Sequence, residues 1–138
     1  MSLAELQERV RDSNSLHVVL TGGEPMLAPQ LAELSDICRE AGKTITVETA
    51  GTVDRSIECD LMAISPKLKN SVPDDVAWKT RHEETRHQPA VIRSLLQRYR
   101  SILKFVVDTE DDVSEVVNYL REFPEVTADQ VWLMPQAR

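Results

Sequence analysis

The chain has 138 residues, 41% of them hydrophobic and 28% charged. That is the balance of one ordinary globular core, and it is too short for a closed eight-stranded α/β barrel, which takes about 250 residues. Sixteen basic against twenty-three acidic residues leave a net charge of −7, which repels phosphate backbones and anionic lipid and argues against nucleic acid as a partner. The apolar runs fall far below the roughly 18 residues of a spanning helix, and the start lacks a signal peptide's apolar stretch, so no membrane association and a cytoplasmic location are expected.

In chain order, Leu3 to Arg11 reads as a helix leading into a first strand at Val18–Leu20. Leu31, Leu34, Ile37, Cys38 and Ala41 then share one helical face, and Gly42 stands where that helix stops. Strands follow at Ile45–Val47 and Leu61–Ile64, with room between them for a helical turn or two. Lys69 to Pro89, with two prolines and dense charge, reads as a surface loop or lid. Val91, Leu95, Leu96 and Tyr99 form a second helical stripe ahead of a strand at Ile102–Val107. Asp108 or Thr109 caps a third helix whose first turn is acidic and whose Val113, Val116, Val117 and Leu120 are expected to face a sheet, and Pro124 ends it. A last strand falls at Val131–Met134. The continuous apolar runs predict parallel strands buried on both faces, joined by right-handed crossovers. The fold expected is α/β: an incomplete TIM-like barrel of about five parallel strands with outer helices, in a single domain over residues 1–138.

Polar residues collect after each strand: Thr21-Gly22-Gly23-Glu24-Pro25, Glu48-Thr49-Ala50-Gly51-Thr52, Ser65-Pro66-Lys67, Val107-Asp108 and Pro135-Gln136. In a parallel α/β sheet the carboxyl ends share one rim, and ligands bind there. Two glycines let a backbone approach a ligand closely, and the carboxylate of Glu24 suits a cationic amine. For Gly-Gly-Glu alone a plain strand-to-helix turn is the better explanation. Lys67 either neutralises a carboxylate, serves as a Schiff-base amine or is a solvated loop residue. Lys104 interrupts an apolar run, so it either snorkels to the rim or faces the barrel interior. His82, Glu83 and His87 have a five-residue histidine gap where a zinc protease needs four, and read as charged loop residues. His17 reads as a structural residue, and Trp78 and Trp132, too far apart in sequence for a stacking platform, read as packing residues. Cys38 and Cys59, 21 positions apart, support neither a disulfide framework nor a zinc site and read as packing residues.

Taken in order and spacing, Thr21-Gly22-Gly23-Glu24-Pro25, Glu48-Thr49-Ala50-Gly51-Thr52, Ser65-Pro66-Lys67, Leu103-Lys104-Phe105-Val106-Val107 and Leu133-Met134-Pro135-Gln136 resemble the 7-carboxy-7-deazaguanine synthases of queuosine biosynthesis. These are radical S-adenosylmethionine (SAM) enzymes, and the resemblance covers nearly the whole chain. It implies a lyase in which a 4Fe-4S cluster, fed by an electron donor such as flavodoxin or ferredoxin, cleaves SAM. The resulting 5'-deoxyadenosyl radical abstracts hydrogen from 6-carboxytetrahydropterin. Ring contraction with loss of ammonia, assisted by Mg2+, gives 7-carboxy-7-deazaguanine.

Carried over by position, Gly22, Gly23 and Glu24, followed by Pro25, would hold the SAM amino and carboxylate groups. Ser65 and Lys67 would lie near its ribose or carboxylate, and Gln136 would reach the cofactor from the last strand. Glu48, Thr49, Gly51 and Thr52 would face the pterin or adenosyl group. The family's Cys-x-x-x-Cys-x-x-Cys is absent, so no metal ligand is expected in this chain, which would be inactive alone. Ala28 stands where relatives often carry glutamine. Both ends read as cut within a partial radical SAM core, and an open edge beside Val18–Leu20 is expected to pair with a second copy. Three other readings stay open: a radical SAM activating enzyme, a Schiff-base aldolase built on Lys67 or Lys104, and a ligand-binding domain without chemistry.

Overall fold

The computed structural model describes residues 1–71 and 87–137; Trp78, His82 and Glu83 lie outside the described residues. Helix α1 (Leu3–Asp12) starts at Ser2, whose hydroxyl accepts from the Glu5 amide while the Glu5 carboxylate accepts from the Ser2 amide. That reciprocal pair satisfies two otherwise orphaned donors. It leads to β1 (His17–Leu20), α2 (Leu31–Glu40) and β2 (Thr44–Thr49). Next come β3 (Leu61–Ile64), α3 (Pro89–Arg98), β4 (Ser101–Val107), α4 (Glu110–Leu120) and β5 (Val131–Pro135). Gly42, at φ 72°, turns the chain out of α2. Thr109 caps α4, its hydroxyl accepting from the Asp112 amide.

The five strands form one parallel sheet in the order β1-β2-β3-β4-β5. It is open, β1 and β5 being its edges, which is the incomplete barrel the apolar runs predicted. Side chains alternate between faces. On one face Ile45, Val47, Met62, Ile64, Leu103 and Phe105 are fully buried, packed in one cluster with Cys38, Ile92, Leu95 and Val116 from the helices. Phe105, Tyr119 and Phe123 close that core, with ring centroids 5.3 Å apart in each consecutive pair.

The other face corrects the expectation of burial on both sides. Val19, Val106, Trp132 and Met134 are 40–53% exposed along it, and Trp132 is therefore not a packing residue. Only the mid-sheet Thr46 and Ala63 are buried there. Val113 and Val117 are likewise exposed, because α4 turns Val116 toward the sheet and not the whole valine stripe. Between β2 and β3 the chain makes no helical turn. It runs without helix, held by the Ile57 amide donating to the Tyr99 hydroxyl at 2.9 Å and by Arg55 donating to the carbonyls of Met26, Ala28 and Pro29. Helix α4 ends at Leu120, four residues before Pro124.

Candidate active-site rim

Because every strand runs the same way, all five carboxyl ends lie on one side of the sheet. After β1, Gly22 and Gly23 adopt φ of +112° and +56°, and nothing lies within 4 Å of where a side chain would begin. Their backbone is open to a ligand. Glu24 follows as the cap of a 3₁₀ turn, Pro25–Leu27. Its Oε1 accepts from the Met26 amide at 3.0 Å and from the Thr49 hydroxyl at 2.8 Å, and its Oε2 accepts from the Ala50 amide at 2.9 Å. One carboxylate thus ties the rim of β1 to the rim of β2. Thr49 also accepts from the Gly51 amide at 3.0 Å, and the Ser65 amide donates to the Thr49 carbonyl at 2.7 Å, which carries the tie on to β3.

Alternation along β2 sends Glu48 and Thr49 to opposite faces. Thr49 is 3% exposed, and Gly51 is buried with φ +74° against Ile92 and Ile64. Both sit behind the rim. Thr52 is half-buried, and Glu48 reaches the open face. There its Oε1 accepts from Lys104 Nζ at 2.9 Å and its Oε2 from the Thr21 hydroxyl at 3.3 Å. The Lys104 ammonium, and more weakly Thr21, hold the Glu48 carboxyl below its ordinary value of 4.5. Ser65, Lys67, Asn70, Lys104 and Gln136 line an adjoining cleft of about 180 Å³ over the ends of β3, β4 and β5. Gln136 is fixed there by its amide donating to the Val107 carbonyl at 2.9 Å.

The structure therefore gathers Gly22, Gly23, Glu24, Glu48, Ser65, Lys67 and Gln136 on one rim. It sets Thr49, Gly51 and the buried Pro25 behind that rim as support. The residue whose partner sequence reasoning missed is Lys104, found inside the sheet and paired with a carboxylate 56 positions away. A lysine breaking an apolar run was the signal. His17 lies at the amino end of β1, its Nε2 2.8 Å from the Thr46 hydroxyl. His87 pairs with Glu122 at 3.0 Å and meets the Tyr119 ring edge-on.

Cys38 is fully buried, and burial pushes the Cys59 thiol up to about 11, so neither is poised as a metal thiolate. Among the described residues no three His, Cys, Asp or Glu side chains group so as to hold a metal ion. None of the described helices is long and apolar enough to cross a membrane.

The open parallel sheet with outer helices is a fold shared with solved structures of radical SAM barrel enzymes. TYW1 with a lysine-pyruvate adduct bound superposes with a TM-score of 0.67 at 19% identity, over 99% of this chain and 52% of that one. QueE from Escherichia coli does so with a TM-score of 0.61 at 22% identity, over 98% and 53%. No family model matches the chain. By sequence, however, it is similar to the 7-carboxy-7-deazaguanine synthases. It is 41% identical to the one from Rhodopirellula baltica over 98% of this chain and 54% of that protein. With the one from Halobacterium salinarum it shares 38% identity over 87% and 51%. The chain spans about half the length of the curated relatives it matches.

Proposed function

We propose that the chain supplies the SAM- and substrate-facing half of a radical SAM lyase of the 7-carboxy-7-deazaguanine synthase type, acting on 6-carboxytetrahydropterin in queuosine biosynthesis in the cytoplasm. One observation carries this reading: the Gly22-Gly23 backbone, the Glu48–Lys104 pair and the Ser65, Lys67 and Gln136 cleft all lie on the same rim. The open glycine backbone fits the methionine end of SAM, whose amine needs acceptors at close approach, with Glu24 and Pro25 fixing the turn. Ser65, Lys67 and Gln136 suit its ribose and carboxylate, since a lysine and two neutral hydrogen-bonding side chains there match an anion and hydroxyls. Glu48 faces the pterin, while Thr49, Gly51 and Thr52 shape the wall it projects from.

The residues present do not fit a 4Fe-4S cluster, because the sequence has two cysteines, one fully buried and one with a raised thiol, and among the described residues no carboxylates group so as to hold Mg2+. The half-barrel's share of the work is therefore binding and orientation. In this reading the cluster and its electron donor, a flavodoxin or ferredoxin, act together with other polypeptide, and the open β1 edge suits a homodimer.

The test is a chimera in which this chain replaces the matching half of the Rhodopirellula baltica protein. Formation of 7-carboxy-7-deazaguanine from 6-carboxytetrahydropterin is expected. A folded, cluster-loaded chimera that binds SAM but makes no product would overturn the reading.

A further inference from the structure

Lys104 is placed where the sheet has no need of a charge. It interrupts the apolar run of β4, its side chain is 21% exposed, and its ammonium lies 2.9 Å from a carboxylate two strands away. Two inter-strand spacings are roughly 9.6 Å, so the pair must reach across β3. The registers show how that space is kept clear. Glu48 aligns with Ala63, Ala63 aligns with Ile102, and Ile64 aligns with Leu103, so the residues beneath the pair are Ala63 of β3 and, just past its end, Ser65. Both are small, and Ala63 is only 3% exposed beneath it.

We propose that Lys104 is a positioning residue: it crosses β3 to fix the Glu48 carboxylate on the open face as the acceptor for the donor-bearing edge of a ligand. This deepens the reading in which Glu48 faces the substrate and rests on it. A carboxylate pinned at one oxygen by an ammonium keeps a defined direction and retains free lone pairs for a ligand. Thr21 adds a weaker tether at 3.3 Å. Among the neighbours, β3 offers Ala63, the turn after it offers Ser65, and β5 offers Trp132 opposite Lys104, none of them charged. Lys67 lines the adjoining cleft with Lys104. The amine has three donors and the carboxylate uses one, so Lys104 also links Glu48 to the cleft that holds Lys67 and Gln136.

The experiment is a carboxyl-carbon NMR titration of the unliganded chain, with Glu48 assigned by Glu48→Gln. In the wild type the Glu48 midpoint is expected below the ordinary value of 4.5, held down by Lys104. Lys104→Arg is expected to preserve that, and Lys104→Met to return the midpoint to the ordinary value or above. An unchanged midpoint in a Lys104→Met chain whose amide spectrum stays native would overturn the proposal. If Lys104→Met does not fold, the wild type decides: the Lys104 ε-methylene shift must follow the Glu48 midpoint, and its indifference refutes the pairing. No ligand enters this test, so its failure leaves the chimera result standing and a failed chimera leaves this result standing.

Discussion

Gly51→Ala is the substitution for which the structure gives the largest worked consequence. The residue sits at φ +74°, and a Cβ added there would lie 2.2 Å from Ile92 Cδ1 and 2.8 Å from Ile64 Cγ2, both side chains being fully buried. A left-handed conformation costs a non-glycine residue roughly 1–2 kcal/mol. Forcing a methyl into a packed core adds roughly 1–3 kcal/mol. The sum, about 2–5 kcal/mol, is a large part of the roughly 7–20 kcal/mol a chain of this size has to lose, and corresponds to a fall in Tm on the order of 10 °C. Gly23→Ala is the internal control. Its φ is also positive, at +56°, but nothing lies within 4 Å, so only the conformational part applies. Urea unfolding followed by circular dichroism should separate the two by about 1–3 kcal/mol. Adding Ile92→Val removes the nearer methyl and should restore part of the Gly51→Ala loss, although alone it costs roughly 1 kcal/mol. If Gly51→Ala and Gly23→Ala agree within about 0.5 kcal/mol, the loop after β2 is not wedged against α3 as described.

Glu24→Ala should destabilise the apo chain by roughly 1–3 kcal/mol, because the Thr49 hydroxyl and Ala50 amide lose their acceptor. A double-mutant cycle with Thr49→Val in urea should show coupling of at least about 0.5 kcal/mol, whereas additive losses would deny the tie between the rims. Folded Glu48 and Asp112 both lie below their ordinary values of 4.5 and 3.8, Glu48 through Lys104 and Asp112 through the backbone amides of Asp108 and Thr109. Their contribution is complete above those values and is lost as the pH falls through the lowered folded ones. Urea midpoints should therefore drop below pH 4.5, and Glu48→Gln with Asp112→Asn should flatten that drop; an equally steep fall in the double variant would contradict the assignment.

The strands were legible because each is a short apolar run ending in a polar cluster, and parallel pairing then fixes where those clusters go. Caps were legible too: Thr109 and Gly42 act through local hydrogen bonds and local backbone freedom, which neighbouring residues determine. Which face of the sheet stays open was not legible. A run such as Val131–Met134 is apolar on both sides, and nothing within it shows that Trp132 and Met134 are left uncovered. The same blindness grouped Glu48 with Thr49 as ligand-facing, although alternation along β2 sends one to the open face and the other into support. Lys104 was visible as an anomaly, but its partner lies 56 residues away and only the sheet order brings them together. Arg55 gave no signal at all, since its three backbone carbonyl partners carry no side-chain pattern.

The most direct measurement is an amide proton–nitrogen NMR titration of this chain with millimolar SAM, which registers even weak binding. Shifts are expected at Gly22, Gly23, Ser65, Lys67 and Gln136, with His17, Thr44 and Ser101 at the far ends of their strands unmoved. Perturbations confined to those far ends, or a spectrum that SAM leaves untouched, would contradict a rim built to receive a sulfonium nucleoside.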